Sequence, residues 1–348
     1  MRTGNFVETY SRHVSLSDNP VTWIWIAALF VLLLALPMFP GTFVVGLVTR
    51  ILIAAIGAIG LNLLTGSTGQ ISLGHAGFLA SGSYTTALLI ADYGWPPEFA
   101  LLMSGCVAAA LSLFVGVPSL RLKGLYLAIT TMAFSFIVIQ FLGNAESVTH
   151  GAAGVRIKDP YLFGLNLADP IKFYLVCLAS TAVVALAALN ILRSRAGRAF
   201  TAIRDHDIAA RMMGINLTTY KLISFATSSF IVGFSGGLMA FQFRFITVDV
   251  FPFMLSIEAL AMIIVGGLGS VAGGILGAIF IVLLPEAVNQ SLSLLPEAAT
   301  KVLSAYLVEM RGFIVGALIV ITLRLEPRGL VGVWRNIKRY WTHWPLST

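Results

Sequence analysis

The stretch from residue 61 to residue 78 places polar side chains and glycines inside an otherwise apolar run. It reads LNLLTGSTGQISLGHAGF, and its polar groups after the first turn are Thr65, Ser67, Thr68, Gln70, Ser72 and His75. Glycines at this density break helices. A helix that starts inside a bilayer exposes N–H groups that favour an anion, and one that ends there exposes carbonyls that favour a cation. Binding of a charged or dipolar solute is therefore the chemistry that this stretch offers.

The whole chain has the composition of an integral membrane protein. It has 348 residues, of which 58% are hydrophobic and 11% are charged, whereas a soluble domain carries about 25% charged residues. Apolar runs of spanning length lie near 21–39, 43–64, 76–92, 99–118, 122–142, 171–192, 221–243, 255–267, 270–285 and 306–323. The predicted fold class is an all-α polytopic membrane protein with about ten transmembrane helices in the lipid bilayer.

Charge decides the number and direction of the spans. GGLGS at 266–270 interrupts the long apolar run 255–285, which is either one kinked helix or a tight hairpin of two short helices, and the hairpin gives ten spans. Ten spans then place 15 of the 22 basic residues on the side that holds both termini, including a basic loop at 193–221. The excess of basic residues on cytoplasmic loops favours ten spans with both termini in the cytoplasm. It also explains the net charge of +7 without nucleic acid as a partner.

The domain boundaries follow from these spans. Residues 1–20 are predicted to form a cytoplasmic N-terminal segment, 21–323 the transmembrane domain, and 324–348 a basic cytoplasmic tail. Residues 143–170 would form a periplasmic loop. Residues 144–170 contain five glycine and proline breakers, so we expect little regular structure there.

The basic loop carries explicit helix signals. Asp205 or Asp207 can cap a helix start, and Gly214 can end that helix in a left-handed conformation. Ile208 and Met212 are spaced to share one apolar face.

We therefore predict one or two short helices within 199–215, lying roughly parallel to the membrane. Such short helices are marginal alone in water and need a surface to pack on. A soluble partner docking beneath the membrane fits this pattern. A helix lying on lipid headgroups, with its basic residues facing phosphate, fits it too.

Enzymatic signatures are absent from the sequence. It contains no G-x-x-x-x-G-K-[ST], so it has no P-loop for a nucleotide. It also lacks H-E-x-x-H, G-x-S-x-G and any Cys/His cluster with metal-ligand spacing. The sequence thus gives no support for an enzyme, and no cofactor is expected on this chain.

The stretch LNLLTGSTGQISLGHAGFLASGSYTTALL resembles the signature of LivM-type permeases of branched-chain amino acid ABC transporters. The family motif is L-N-L-x-x-G-x-x-G-x-x-S-L-G-H-x-x-F followed by G-x-Y. The matching positions are Asn62, Gly66, Gly69, Ser72, Leu73, Gly74, His75, Phe78, Gly82 and Tyr84. The basic loop also fits the E-A-A-x-x-x-G spacing of importer permeases, with Ile208 in place of the glutamate.

This resemblance implies a transport subunit with the architecture of large-bundle ABC importer permeases. The partners that it implies are a homologous LivH-type permease, two ATP-binding subunits that use the ATP, and a periplasmic substrate-binding protein. The alternatives are a permease for urea or short amides and an ion-coupled secondary transporter. A channel or a structural membrane subunit is a third class.

The candidate site residues form two groups. The substrate-pathway group comprises Asn62, Gly66, Thr68, Gly69, Gln70, Ser72, Gly74 and His75. The ATPase-coupling group comprises Phe200, Arg204, Asp207, Ile208, Ala209, Ala210, Met212 and Gly214. We expect 65–75 to be a broken or re-entrant segment beside the permeation path. The alternative is a tight cytoplasmic turn that serves only packing.

Overall fold

The computed structural model is a bundle of apolar helices. It describes residues 20–38, 41–119, 124–157, 161–162, 164–293 and, beyond 312, residues 313, 316–317, 320–321, 324 and 329–334. The predicted N-terminal segment, the tenth apolar run and the basic tail therefore lie wholly or mostly outside the described residues.

The elements follow the apolar runs of the sequence. The helices are α1 (Pro20–Ala35), α2 (Thr42–Thr68), α3 (His75–Ala91), α4 (Pro97–Ser119), α5 (Leu125–Asn144), α6 (Glu146–Thr149), α7 (Pro170–Arg193), α8 (Arg195–Asp205), α9 (Asp207–Met212), α10 (Leu217–Phe243), α11 (Met254–Gly266) and α12 (Val271–Ser293). Four two-residue strands are β1 (Val155–Arg156), β2 (Tyr161–Leu162), β3 (Leu165–Asn166) and β4 (Phe245–Ile246).

Six helical segments of the described residues are long and apolar enough to cross a membrane. They are α2, α4 without its last residue, α5, α7, α10 and the stretch 248–266 that ends with α11. Shorter apolar segments lie within α1 and α12. Each predicted run up to residue 285 coincides with a helix, so the polytopic all-α class is confirmed. The described part of the chain does not confirm the count of ten.

Small residues let the central helices touch. A Cβ placed on Gly82 of α3 would overlap the carbonyl oxygen of Gly233 on α10. A Cβ on Gly237, one turn further along α10, would lie 2.6 Å from the hydroxyl of Ser104 on α4. Such close approach is what small residues provide where helices pack without a hydrophobic effect between them. The helices α3, α4 and α10 thus form one tightly packed layer.

The hairpin predicted at 266–270 is present. Helix α11 ends at Gly266, and the chain turns through Gly267 and Gly269, whose φ angles are 129° and 77°. The two helices then pack so closely that a Cβ on Gly277 would overlap the carbonyl of Met262. With 13 residues, α11 is short as expected. The expectation was wrong for α12, whose 23 residues continue past Pro285 into a polar stretch.

The 143–170 segment has little regular structure, as predicted, yet it is firmly anchored. Strand β1 pairs antiparallel with β4, and Ile157 N–H donates to the carbonyl of Arg244 at 2.8 Å. Val155 and Ile157 are buried in the bundle's core. The segment therefore closes one end of the bundle and is more than a loose connector.

Candidate functional site

The helix break lies at residues 69–74, later than the predicted 65–75. Helix α2 continues through Thr68 and ends where Gly69 adopts a left-handed conformation with φ of 70°. Thr68 is the last helical residue, and its hydroxyl donates to the carbonyl of Leu64 at 2.6 Å. This backward bond satisfies the buried hydroxyl and competes with the backbone hydrogen bonds at the point where the helix ends.

Residues 70–74 then run back along α2 into the bundle. This path follows from the position of His75, because a Cβ placed on Gly57 of α2 would lie 3.1 Å from the His75 ring. Gly57 precedes Thr68 by about 16 Å along the axis of α2. Helix α3 therefore begins at His75 deep inside the bundle, which is the broken-segment geometry that the sequence suggested.

Side-chain hydroxyls from neighbouring helices bind the irregular backbone of this break. Leu73 N–H donates to Thr131 Oγ1 at 3.0 Å, and Ala76 N–H donates to Ser256 Oγ at 2.9 Å. Gly74 N–H donates more weakly to Ser72 Oγ at 3.3 Å. Irregular backbone at membrane depth is tolerated where protein groups satisfy it in this way.

Asn62 joins α2 to the α11–α12 hairpin. Its Nδ2 donates to the carbonyls of Gly267 at 3.2 Å and Ser270 at 2.8 Å, and its Oδ1 accepts from Gly269 N–H at 2.7 Å. Gly66, one turn later, faces the same hairpin so closely that a Cβ there would overlap Gly269. This amide therefore fastens the hairpin to the last turns of α2.

Helix α8 is seated against the same end of α2, which we call the α8 end of the bundle. Ser194 caps α8 by accepting from Ala196 N–H at 3.2 Å. Phe200 is fully buried and packs edge-on against Tyr220. Arg204 Nη1 donates to the carbonyl of Gly66 at 3.0 Å. Phe200 thus anchors α8 within this chain, so a partner subunit cannot reach its side chain.

Helix α9 leaves its apolar face uncovered within this chain. Ile208 and Met212 are 70% and 84% exposed, and Ala209 is exposed beside them, whereas Ala210 is buried. The short-helix prediction is confirmed, but the capping prediction was wrong. His206 occupies the N-cap position of α9 without a side-chain hydrogen bond, and Asp207 is the first helical residue.

The end of α9 is the one that the sequence indicated. Gly214 is left-handed with φ of 81°. Its N–H donates to the carbonyl of Arg211 at 3.0 Å, and Ile215 N–H donates to that of Ala210 at 3.1 Å. This pair of bonds is the Schellman arrangement, which satisfies the last carbonyls of a helix.

The two candidate groups meet at the α8 end. A cavity of about 240 Å³ lies there. It is lined by Thr68, Gly69 and Gln70 of the substrate-pathway group and by Arg204 and Asp207 of the ATPase-coupling group. Sequence separation hid this convergence, because the two motifs lie more than a hundred residues apart.

A second cavity lies between α2, α3, α10, α11 and α12, and we call it the outer cavity. It measures about 430 Å³. Of the predicted pathway residues only His75 lines it, beside Arg50, Glu258, Glu286 and Gln242. Sequence reasoning missed these last four. The available signal was Glu258, the single charged residue between 255 and 285, because charged residues within spans mark functional sites.

The sequence model of one protein family, the permease component of branched-chain amino acid transport systems, matches residues 43–323 of this chain. The chain belongs to this family. Over 287 residues it is 35% identical to the high-affinity branched-chain amino acid transport permease LivM of Salmonella typhimurium and to that of Escherichia coli. These alignments cover 76% of this chain and 68% of each relative.

The E. coli permease LivH is 26% identical over 298 residues, which cover 79% of this chain and 90% of LivH. No solved structure matches the chain. The LivM-type resemblance is thus confirmed, and the relatives support an amino-acid permease over the urea and ion-coupled alternatives. A transport subunit of this family is not itself expected to be an enzyme.

Proposed function

We propose that this permease is the membrane subunit of an ATP-driven importer that moves branched-chain amino acids into the cytoplasm. The observation that carries this proposal is the contact of α8 with the last turn of α2, beside an uncovered apolar face on α9. Arg204 ties α8 to the carbonyl of Gly66, about one turn before the helix break. A push on α9 would therefore reach the broken helix through α8.

The α8 end is proposed to face the cytoplasm. It carries the basic residues of the 193–221 loop, which suits the inner face of a membrane. Helix directions support this orientation. Tyr174 hydroxyl, near the start of α7, donates to the carbonyl of Leu33, near the end of α1. Helix α1 thus begins at the α8 end, as about ten spans with both termini in the cytoplasm require.

The partners would occupy opposite ends of the bundle. Two ATP-binding subunits would hydrolyse the ATP, one of them receiving α9 in a groove, and this chain would bind no cofactor. A LivH-type permease would complete the membrane unit, since the relatives include both LivM and LivH. A periplasmic substrate-binding protein would dock at the end closed by the 143–170 segment.

The solute would pass beside the broken helix. Residues 69–74 link the cavity at the α8 end to His75, which lines the outer cavity. The break therefore borders both halves of a possible route through the membrane. This supports the pathway interpretation over a turn that serves only packing.

The Met212→Asp variant tests the docking step. An aspartate there places a charge in an apolar contact, so we expect substrate-stimulated ATP hydrolysis by the reconstituted complex to fall at least tenfold. The permease should still insert into the membrane, because Met212 is 84% exposed within this chain.

The exposed Thr218 provides the matched control, and Thr218→Asp should retain coupling. Full coupling in Met212→Asp, with the complex intact, would instead favour a helix that lies on lipid headgroups.

A further inference from the structure

The outer cavity holds charges of both signs. Arg50 comes from α2, Glu258 from α11 and Glu286 from α12. Glu258 is 6% exposed, and charged residues buried within membrane spans are costly and mark functional sites. A site for an anion would need only the basic side chain. A site for a cation, or a proton relay, would need only the acidic side chains. The combination of both suits a dipolar ligand.

These charges lie at different depths. Ala76 N–H donates to Ser256 Oγ at 2.9 Å, so Glu258, half a turn further along α11, lies near the level where α3 begins. Gly57 is at that same level because it contacts His75. Arg50 precedes Gly57 by about 10 Å along α2. The carboxylate is therefore at the floor of the cavity, and the guanidinium is nearer its rim.

The floor also offers an unused polar atom. His75 is 6% exposed, and its Nδ1 has no hydrogen-bond partner among the described residues. Buried polar atoms are nearly always paired, so an orphaned one calls for a ligand. His75 is the first residue of the 17-residue α3, and the positive end of that helix dipole lies at the same level as Glu258, where it offsets part of the negative charge of the carboxylate.

The wall between the charges is apolar. Its side chains include Ile53, Leu79, Met239, Leu255, Met262 and Ile281. A volume of about 430 Å³ falls in the range of roughly 300–1,000 Å³ that small-molecule pockets occupy. The cavity thus combines two opposite charges with an apolar surface that can hold a branched aliphatic group.

We propose that the outer cavity is a binding site for a free amino-acid zwitterion with an apolar side chain. Glu258 takes the ammonium group, Arg50 takes the carboxylate, His75 Nδ1 supplies a further polar contact, and the apolar wall takes the side chain. This proposal rests on the proposed function and deepens it. It makes the permease itself selective, in addition to any soluble binding protein.

Equilibrium binding of radiolabelled leucine tests the site. The sample is the purified complete membrane complex in lipid nanodiscs, without the soluble binding protein and without ATP. We expect saturable binding that valine and isoleucine displace and glutamate and lysine do not. Glu258→Gln and Arg50→Gln should each weaken binding at least tenfold, because each removes a charge-assisted hydrogen bond. Asp249→Asn, at an exposed acid outside the cavity, should leave binding unchanged.

Two leucine analogues distinguish a direct contact between these side chains and the ligand from a purely structural role of the side chains. Leucinamide lacks the carboxylate, and the 2-keto acid of leucine lacks the ammonium group. Arg50→Gln should lose the preference for leucine over leucinamide, and Glu258→Gln should lose the preference for leucine over the keto acid. Ala54→Phe, which fills the cavity, should weaken leucine more than alanine.

The outcomes are distinct. Absence of leucine binding to the complex, or equal weakening of leucine and both analogues, overturns the site. Uptake by the full transporter with its binding protein is measured in parallel. Normal leucine uptake without such binding refutes this inference alone, whereas failure to take up any branched-chain amino acid refutes the proposed function.

Discussion

Asn62 offers a sharp test of how α2 and the hairpin are joined. Replacing it by leucine keeps a similar volume but removes three hydrogen bonds to Gly267, Gly269 and Ser270. Each is worth about 1 kcal/mol net, so the hairpin should lose roughly 3 kcal/mol of local stability. A factor of ten corresponds to about 1.4 kcal/mol. Local opening of the hairpin should therefore become about a hundredfold more frequent.

Hydrogen–deuterium exchange of the intact complex measures this opening, since local unfolding exposes backbone amides. The amides of 266–271 should exchange faster in Asn62→Leu, whereas those in the middle of α7 should not change. Asn190→Leu, the same substitution at an exposed position on α7, is the control. Unchanged protection of the hairpin in Asn62→Leu would refute the idea that this amide fastens it.

Three further substitutions probe the packing around the break. Gly69→Ala places a side chain at a left-handed φ of 70°, at a cost of about 1–2 kcal/mol. Substrate uptake should fall while the transporter complex still assembles. Loss of assembly would instead favour a turn that serves only packing. Gly82→Ala should reduce recovery of folded protein several-fold on size exclusion, whereas Gly46→Ala, where a Cβ meets nothing within 4 Å, should not. Arg204→Met should lower substrate-stimulated ATP hydrolysis severalfold. If the exposed control Arg198→Met shows the same ATP hydrolysis as Arg204→Met, the bond between Arg204 and α2 has no role in coupling.

The positions of the helices were predictable because hydrophobic runs of spanning length leave little choice in a bilayer. The hairpin was predictable for a similar reason, since the glycines of 266–270 permit left-handed turns that other residues resist. The start of the break at 65 was wrong because tertiary contacts outweighed propensity. Gly66, for example, stays helical while its carbonyl accepts a hydrogen bond from Arg204 of α8 at 3.0 Å.

The outer cavity was harder to foresee. Arg50 and Glu258 each lie in separate apolar runs, and no spacing in the sequence relates them. They line one cavity only because α2 and α11 pack together near Ala58 and Ala259, a contact between residues about two hundred positions apart. The coupling helices could be found from local signals, whereas a site assembled from five helices requires the packing itself.

The coupling contact and the outer cavity share helix α2, and the Asn62 hydrogen bonds join α2 to the hairpin that follows α11. Glu258 lies about 12 Å along α11 from Gly266, and Arg50 lies on α2 beyond the Asn62 fastening. Two to three turns of helix move as a rigid element, because bundles shift by sliding packed helices past one another. A displacement of α8 against the end of α2 must therefore either strain the Asn62 bonds or carry the hairpin with it. Where the Asn62 bonds yield, the separation of Glu258 and Arg50 changes, and with it the affinity for a zwitterion held between them. Where the hairpin is carried along, the separation and the affinity are kept.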